Sequence, residues 1–388
     1  MSQKGRTKFF YSLAGLMWMV LSHKHVSLRF GRLYRFLREA LLRYEKDLLA
    51  LSTTPSYLGY TDLLERGFLK EKHWRFGVFM ATATSLPILY RKTDYENILM
   101  AIGTKTSIGA SAKLIDNLND TIHSYDEAIA SLTRYESALQ NGIYDIQDRS
   151  DVLLAEGTAH EIARWAYRSL PLPSDQYRDD VTTLIQGQTA SLQHKKISYP
   201  SMKEYLSHIC ERSIGNLWID VDLNYITEDI PTKEEEIMLK NGNDYIFKSY
   251  LIYDDVQDIY EDLFTNSVNS ALILAMEQGI LTESDIETGN TETIIEQLDD
   301  SGIFSHLMVL GDLIFLKGME IISQCNNPID GGGLVASLAL IRMFNIRKVL
   351  RRERNVHVLT TFLANYQKLK KIKNAAPDYI HDLVEYVQ

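Results

Sequence analysis

Residues 248–263 read KSYLIYDDVQDIYEDL, and this stretch decides what kind of fold the chain takes. Asp254, Asp258 and Asp262 step by four, so on a helix their carboxylates form one stripe, a turn apart. Asp255 and Glu261 flank the stripe, while Leu251, Ile252, Val256, Ile259 and Leu263 make the remaining faces apolar. A solvated helix would interleave lysines with such acids. Here Lys248 is the one nearby base upstream, and none follows before residue 282. Like charges at this spacing repel, and a divalent cation reverses the sign of that interaction.

Residues 113–123, KLIDNLNDTIH, repeat the pattern. Asp116 and Asp120 share one helical face, Asn119 lies beside them, and Leu114, Ile115, Leu118 and Ile122 predict that the helix is largely buried. His123 is a further possible ligand, more simply read as structural. The two runs are 138 residues apart, counting from 116 to 254. Oxygen-only donors in two runs suit Mg2+ or Mn2+ completed by phosphate and water.

The whole chain supports a helical reading. It has 388 residues, 45% of them hydrophobic, and only 8 prolines. Helices are expected over 29–51, 61–70, 74–90 and 94–140, with a break near Gly103 or Gly109. Others are expected over 150–169, 175–193, 201–228, 233–240, 243–279, 292–299, 302–324, 333–354 and 357–372. A polar loop at 282–291 and a peripheral tail at 376–388 complete the pattern. No repeat of 20–50 residues suggests a solenoid. Cys210 and Cys325 have no metal-ligand spacing and read as buried thiols in a reducing compartment.

The net charge is −10, but residues 1–50 hold ten Lys/Arg against three Asp/Glu, a charge of +7 that leaves −17 for the rest. An acidic body excludes nucleic acid as the main partner. The apolar run Phe9 to Leu21 is too short to span a bilayer unaided. Arg29, Arg32, Arg35 and Arg38 then step by three, with Leu33, Phe36, Leu37 and Leu41 between them. Such a helix either lies on an anionic membrane surface or packs its apolar side on the core. The expected organisation is an N-terminal basic segment, 1–60, and an all-α domain, 61–388.

At the two acidic runs the chain resembles the class I isoprenoid synthase superfamily: terpene cyclases, trans-prenyl diphosphate synthases and squalene/phytoene synthases. Asp254, Asp258 and Asp262 stand in register with the second metal motif of terpene cyclases, with Asp in place of its Ser and Glu. Asp254, Asp255 and Asp258 match the Asp-Asp-x-x-Asp of prenyl synthases as well. Residues 266–280, NSVNSALILAMEQGI, are similar to the helix continuing after that motif in microbial cyclases. Residues 205–215, YLSHICERSIG, resemble the cyclase segment where an arginine senses diphosphate and a glycine breaks the helix, here Arg212 and Gly215. The first run departs from the family as Asp-Asn-x-x-Asp. No Arg-Arg pair follows it, and the C-terminal Arg-Tyr pair of many cyclases is missing.

The resemblance implies an all-α fold, a single large helical bundle of the isoprenoid synthase type with an N-terminal basic extension. It implies more than one Mg2+, with Mn2+ as a substitute, on Asp116, Asp120, Asp254, Asp255, Asp258 and Asp262. Arg212 would sense the diphosphate, and Lys248, Arg342 and Arg347 are further candidates to bind it. Trp74, Phe79, Trp165, Trp218 and Tyr253 are candidate cation-stabilising aromatics. The expected activity is ionisation of one prenyl diphosphate followed by cyclisation or rearrangement. The alternatives are a transferase joining two prenyl units and a non-catalytic helical interaction protein. The expected setting is cytoplasmic, with peripheral membrane contact and a homo-oligomer as options.

Overall fold

Side chains that cap their own helix starts explain much of the segmentation. Asp94, Ser150 and Ser174 each accept a backbone N–H three residues on, and Ser124, Ser201 and Thr232 form reciprocal boxes with Glu127, Glu204 and Glu235. The computed structural model describes residues 23, 25–144, 150–192, 199–325, 329–346 and 366–387. Among these residues there are helices and no strand.

In chain order the helices are α1 (Phe30–Leu49), α2 (Tyr60–Glu65), α3 (Glu71–Leu89), α4 (Tyr95–Thr121), α5 (Tyr125–Asn141), α6 (Asp151–Ser169) and α7 (Asp175–Ser191). Then come α8 (Met202–Ser207), a 3-10 turn Ile209–Arg212, α9 (Gly215–Asn224), α10 (Lys233–Thr265), α11 (Ser270–Glu277) and α12 (Glu283–Thr288). The chain continues through α13 (Thr291–Asp300), α14 (Ile303–Ile322), α15 (Gly331–Asn345), α16 (Tyr366–Ala375) and α17 (Asp378–Val384). One apolar core joins α1–α7, α9, the first half of α10 and α15. A second joins α8, the second half of α10 and α11–α14 with α17.

Several boundaries differ from the sequence expectation. α4 runs unbroken through Gly103 and Gly109, and the break falls at residues 122–124, where Ser124 starts the next helix. α10 is one helix of 33 residues passing through Gly242. That glycine serves packing rather than termination: a Cβ there would lie 2.6 Å from Ile322 Cγ1, where α14 crosses α10. The real stop is Asn266, in the left-handed conformation at φ 54°, a position asparagine tolerates. The expected helix 201–228 divides at the 3-10 turn, and the expected loop at 282–291 contains α12. The C-terminal tail is not peripheral, since Ile380, Leu383, Val384 and Val387 enter the second core. Residues 347–365 of the expected late helices lie outside the described residues.

The N-terminal helix packs on the core through Leu33, Phe36, Ala40, Tyr44 and Leu48. Arg32 lies over Tyr90 and Arg35 over Tyr95. Cys210 and Cys325 are buried free thiols, as expected, and burial pushes Cys210 up to about 12. Among the described residues no single helix is long and apolar enough to cross a membrane; α13 and α14 reach that length and apolarity only together, and they are bent by 65° where they meet.

Candidate functional site

The first run ends α4, and the second occupies the C-terminal half of α10. Both helices pack on α9 between them. Asp116 and Asp120 are half-buried; Asp254 is exposed and Asp258 half-buried. Lys113 Nζ lies 2.7 Å from Asp116 Oδ2. Burial disfavours the charged form of Asp116, but Lys113 and then Arg212 hold its carboxyl below the usual range. Lys113 in turn is raised by Asp116 first, then by Asp254 and Asp120. Charges from the two runs therefore act on the same two cations.

Arg212 sits on the 3-10 turn, with Nη2 donating to Tyr205 Oη at 3.1 Å and lying 3.6 Å from Asp255 Oδ1. Burial opposes its charge, yet Tyr205, Asp255 and Asp116 raise it above the ordinary arginine value. Two glycines bring the turn to this place. A Cβ on Gly187 of α7 would lie 2.2 Å from Arg212 N, and one on Gly215 would lie 3.1 Å from Asp244 Cα of α10. The helix break that the resemblance implied at Gly215 falls just before it, at the 3-10 turn, and Gly215 is the first residue of α9.

Asp255, expected among the metal ligands, is turned to another task. It is 4% exposed, accepts from Tyr205 Oη at 2.6 Å and Ser270 N at 2.9 Å, and faces Arg212. Its Oδ2 is committed to Tyr205 and Ser270, and its Oδ1 faces the arginine. Asp262 accepts from Asn269 Nδ2 at 2.6 Å, and the same amide donates to the Asp255 carbonyl at 2.8 Å. Burial and then the neighbouring Asp255 charge push Asp262 up to about 8, with Asp254 adding to the effect. A crowded carboxylate set short of positive charge fits divalent ions chemically. Among the described residues, however, no three His, Cys, Asp or Glu side chains form a ready-made metal cage. Phosphate oxygens and water would have to complete the coordination, which is how Mg2+ commonly binds.

Two expected diphosphate binders are committed elsewhere. Lys248 is 1% exposed, with Nζ 2.5 Å from Glu211 Oε1 and 2.8 Å from Asp244 Oδ2. It ties the residue beside Arg212 to α10. Arg342 is 3% exposed, with Nε donating to Tyr253 Oη at 2.9 Å and Nη2 bonded to Asp312. Both cations are buried and already paired, Lys248 with the half-buried Glu211 and Asp244 and Arg342 with the buried Asp312. Arg347 lies outside the described residues.

The aromatic candidates separate likewise. Trp74 donates to Tyr60 within the core, Trp218 is buried against Phe247, Trp165 donates to Glu161, and Tyr253 bonds Asp312. Phe79 is half-buried in a cluster with Phe76 and Phe344. Sequence reading missed Gly187 and Tyr205, which act through contacts made with Arg212 and Asp255, and it missed Lys113 and Asn269, whose partners Asp116 and Asp262 are only three and seven residues away. It also missed a sealed pair: Lys105 Nζ meets Asp222 Oδ2 at 2.6 Å and Thr84 at 2.9 Å.

No protein-family model matches the chain, and no curated protein matches it. Among solved structures, the geranylgeranyl pyrophosphate synthetase from the archaeon Geoglobus acetivorans aligns at 14% identity and a TM-score of 0.53, over 81% of this chain and 98% of that one. The SVS_A2 protein from ancestral sequence reconstruction aligns at 13% identity and a TM-score of 0.50, over 83% and 86%. The 2-methylisoborneol synthase from Streptomyces coelicolor A3(2), in complex with Mg2+ and 2-fluoroneryl diphosphate, aligns at 13% and 0.49, over 82% and 91%. Two acidic helical runs in an α-bundle, with this likeness, define the fold class: the chain has the all-helical isoprenoid synthase fold.

Proposed function

We propose that this chain ionises a prenyl diphosphate and cyclises or rearranges the resulting carbocation, releasing diphosphate. The observation that carries the reading is Arg212, a cation held 3.6 Å from Asp255 of the second run and bonded to Tyr205 at 3.1 Å. Loss of diphosphate from an allylic carbon concentrates charge on the leaving oxygens, where fixed positive groups are most effective. Two or more Mg2+ ions, or Mn2+ in their place, would be held by Asp116 and Asp120 on one side and Asp254, Asp258 and Asp262 on the other, and would supply Lewis-acid stabilisation.

Arg212 contributes a guanidinium oriented in advance by Tyr205 and Asp255, so no reorganisation accompanies the reaction. Lys113 adds an ammonium at the same place. The half-buried Phe76 and Phe79 pack with the buried Phe344 into an apolar cluster of the kind that would shield a carbocation from water.

Joining two prenyl units is the second reading, and the likeness to a geranylgeranyl pyrophosphate synthetase keeps it open. It is the weaker one because the buried Lys248 and Arg342 are already paired with carboxylates of this chain. Incubation with Mg2+ and prenyl diphosphates of increasing length, with products weighed by mass spectrometry, separates the cases. Cyclisation keeps the carbon count, coupling adds the counts together, and absence of diphosphate release leaves a non-catalytic interaction protein.

The outward face of α1 supports peripheral membrane contact by a cytoplasmic protein. Phe30, Tyr34, Leu42 and Leu49 are each more than half exposed there, among exposed Arg29, Arg35, Arg38 and Lys46. An apolar and basic face on an otherwise acidic chain complements an anionic lipid surface.

A further inference from the structure

The last turns of α4 are a poor place for carboxylates. Asp116 and Asp120 repel one another, they approach the negative end of the helix, and no basic residue occupies its final turn. Left alone, such an end would fray. A buried polar cluster abuts it instead, centred on the Glu156–Arg134 pair. Glu156 of α6 is 0% exposed and accepts from Arg134 Nε of α5 at 2.7 Å. His160 Nε2 lies 3.4 Å from Glu156 Oε1, and His123 Nε2 lies 3.8 Å from Oε2.

His123 carries the contact back to the acidic run. Its backbone N–H donates to the Leu118 carbonyl at 3.0 Å, and its Nδ1 lies 2.8 Å from Asn119 Oδ1. Asn119 is 2% exposed and sits between Asp116 and Asp120. A carboxylate buried this deeply is rarely the most stabilising choice, since an apolar side chain of similar volume often does as well. Its use here coincides with a helix end that needs an external hold.

We propose that Glu156 and His123 are positioning residues, which lock the end of α4 so that Asp116 and Asp120 are held ready for divalent ions and diphosphate. The proposal rests on the functional reading above and adds to it residues that touch neither metal nor substrate. Arg134 neutralises Glu156 from behind, and His160 packs on the same carboxylate.

Calorimetry of the full chain with Mg2+ and inorganic pyrophosphate tests it. Glu156→Gln and His123→Ala should each weaken Mg2+-dependent pyrophosphate binding about tenfold while the helical spectrum is retained. His123→Gln, which can still reach Asn119, should restore part of the loss. The double variant should be no weaker than the worse single one, because both act through one path. Lys240→Met, which breaks a separate buried ion pair with Asp180 and Asp220, should lower the melting temperature and leave binding unchanged. Native-like binding in both Glu156→Gln and His123→Ala overturns the proposal, as does an equal loss in Lys240→Met. A native protein that binds no pyrophosphate with Mg2+ removes the functional reading together with it.

Discussion

Gly187 of α7 and Arg212 of the 3-10 turn are in backbone contact: a Cβ on residue 187 would stand 2.2 Å from the Arg212 nitrogen and 2.5 Å from the Glu211 carbonyl carbon. Neither atom belongs to a flexible side chain, so the turn itself must yield. Gly187→Ala should cost about 2–3 kcal/mol through overpacking and displace the guanidinium from Tyr205. The expected result is a lower melting temperature and a larger fall in diphosphate release than Glu136→Gln, a change on a neighbouring helix. Undiminished turnover in Gly187→Ala removes Arg212 from the mechanism.

Asp120 and Asp258 come from the two different runs, and each gains only neutrality on change to Asn. Both variants should keep the helical circular dichroism spectrum and lose about 100-fold or more in turnover, the scale seen when one charge-stabilising group is removed. Full activity in both rejects the metal roles.

Lys113 is the cation that the acidic runs already hold. Replacing it with Met leaves Asp116, Asp254 and Asp120 less neutralised. Mn2+ titrated without substrate and followed by electron paramagnetic resonance should bind several-fold more tightly to Lys113→Met than to the native chain. Weaker binding would mean that the ammonium helps to assemble the site instead of standing in for metal.

Asp220 supplies the pH dependence. Burial, and then the neighbouring Asp180 carboxylate, raise its carboxyl to about 8, against a partial offset from Lys240. The folded state therefore binds more protons than the unfolded state between the ordinary carboxylate value and about 8. Stability falls as pH rises through that window and is level above it. Asp262 is raised to about 8 as well and adds to the same slope, so Asp220→Asn should reduce this part of the melting-temperature profile without abolishing it, and an unchanged slope places the titration away from Asp220.

The outward face of α1 predicts flotation with anionic vesicles and not with neutral ones. Changing Leu42 and Leu49 to Ser should halve the bound fraction or more, while Arg38→Glu should act mainly at low salt. A native chain that forms a dimer in solution and ignores vesicles assigns this face to a second copy.

Much of the helical pattern was legible because its signals are local. Ser150, Ser174 and Thr232 cap their helices within three residues, and the apolar spacing on α1 picks out the face that is buried. Glycine misled where its reason lay in a distant helix. Gly103 and Gly109 leave α4 intact, and Gly242 makes room for Ile322 of α14. The break after α4 did have a local signal, Ser124 with Glu127, which the long apolar run obscured.

Charge followed the same division. The spacing of Asp116 and Asp120, and of Asp254, Asp258 and Asp262, belongs to the sequence alone, because helical geometry converts four-residue steps into a stripe. Which charges are already satisfied belongs to the tertiary structure. Asp255 meets Tyr205 and Ser270, Lys248 meets Glu211 and Asp244, and Arg342 meets Asp312, and only Asp244 lies within a helical turn of its partner. A side chain's residue type and spacing state what it can bind. Folding decides whether another part of the chain has bound it first, because burying an unpaired charge costs more than pairing it does.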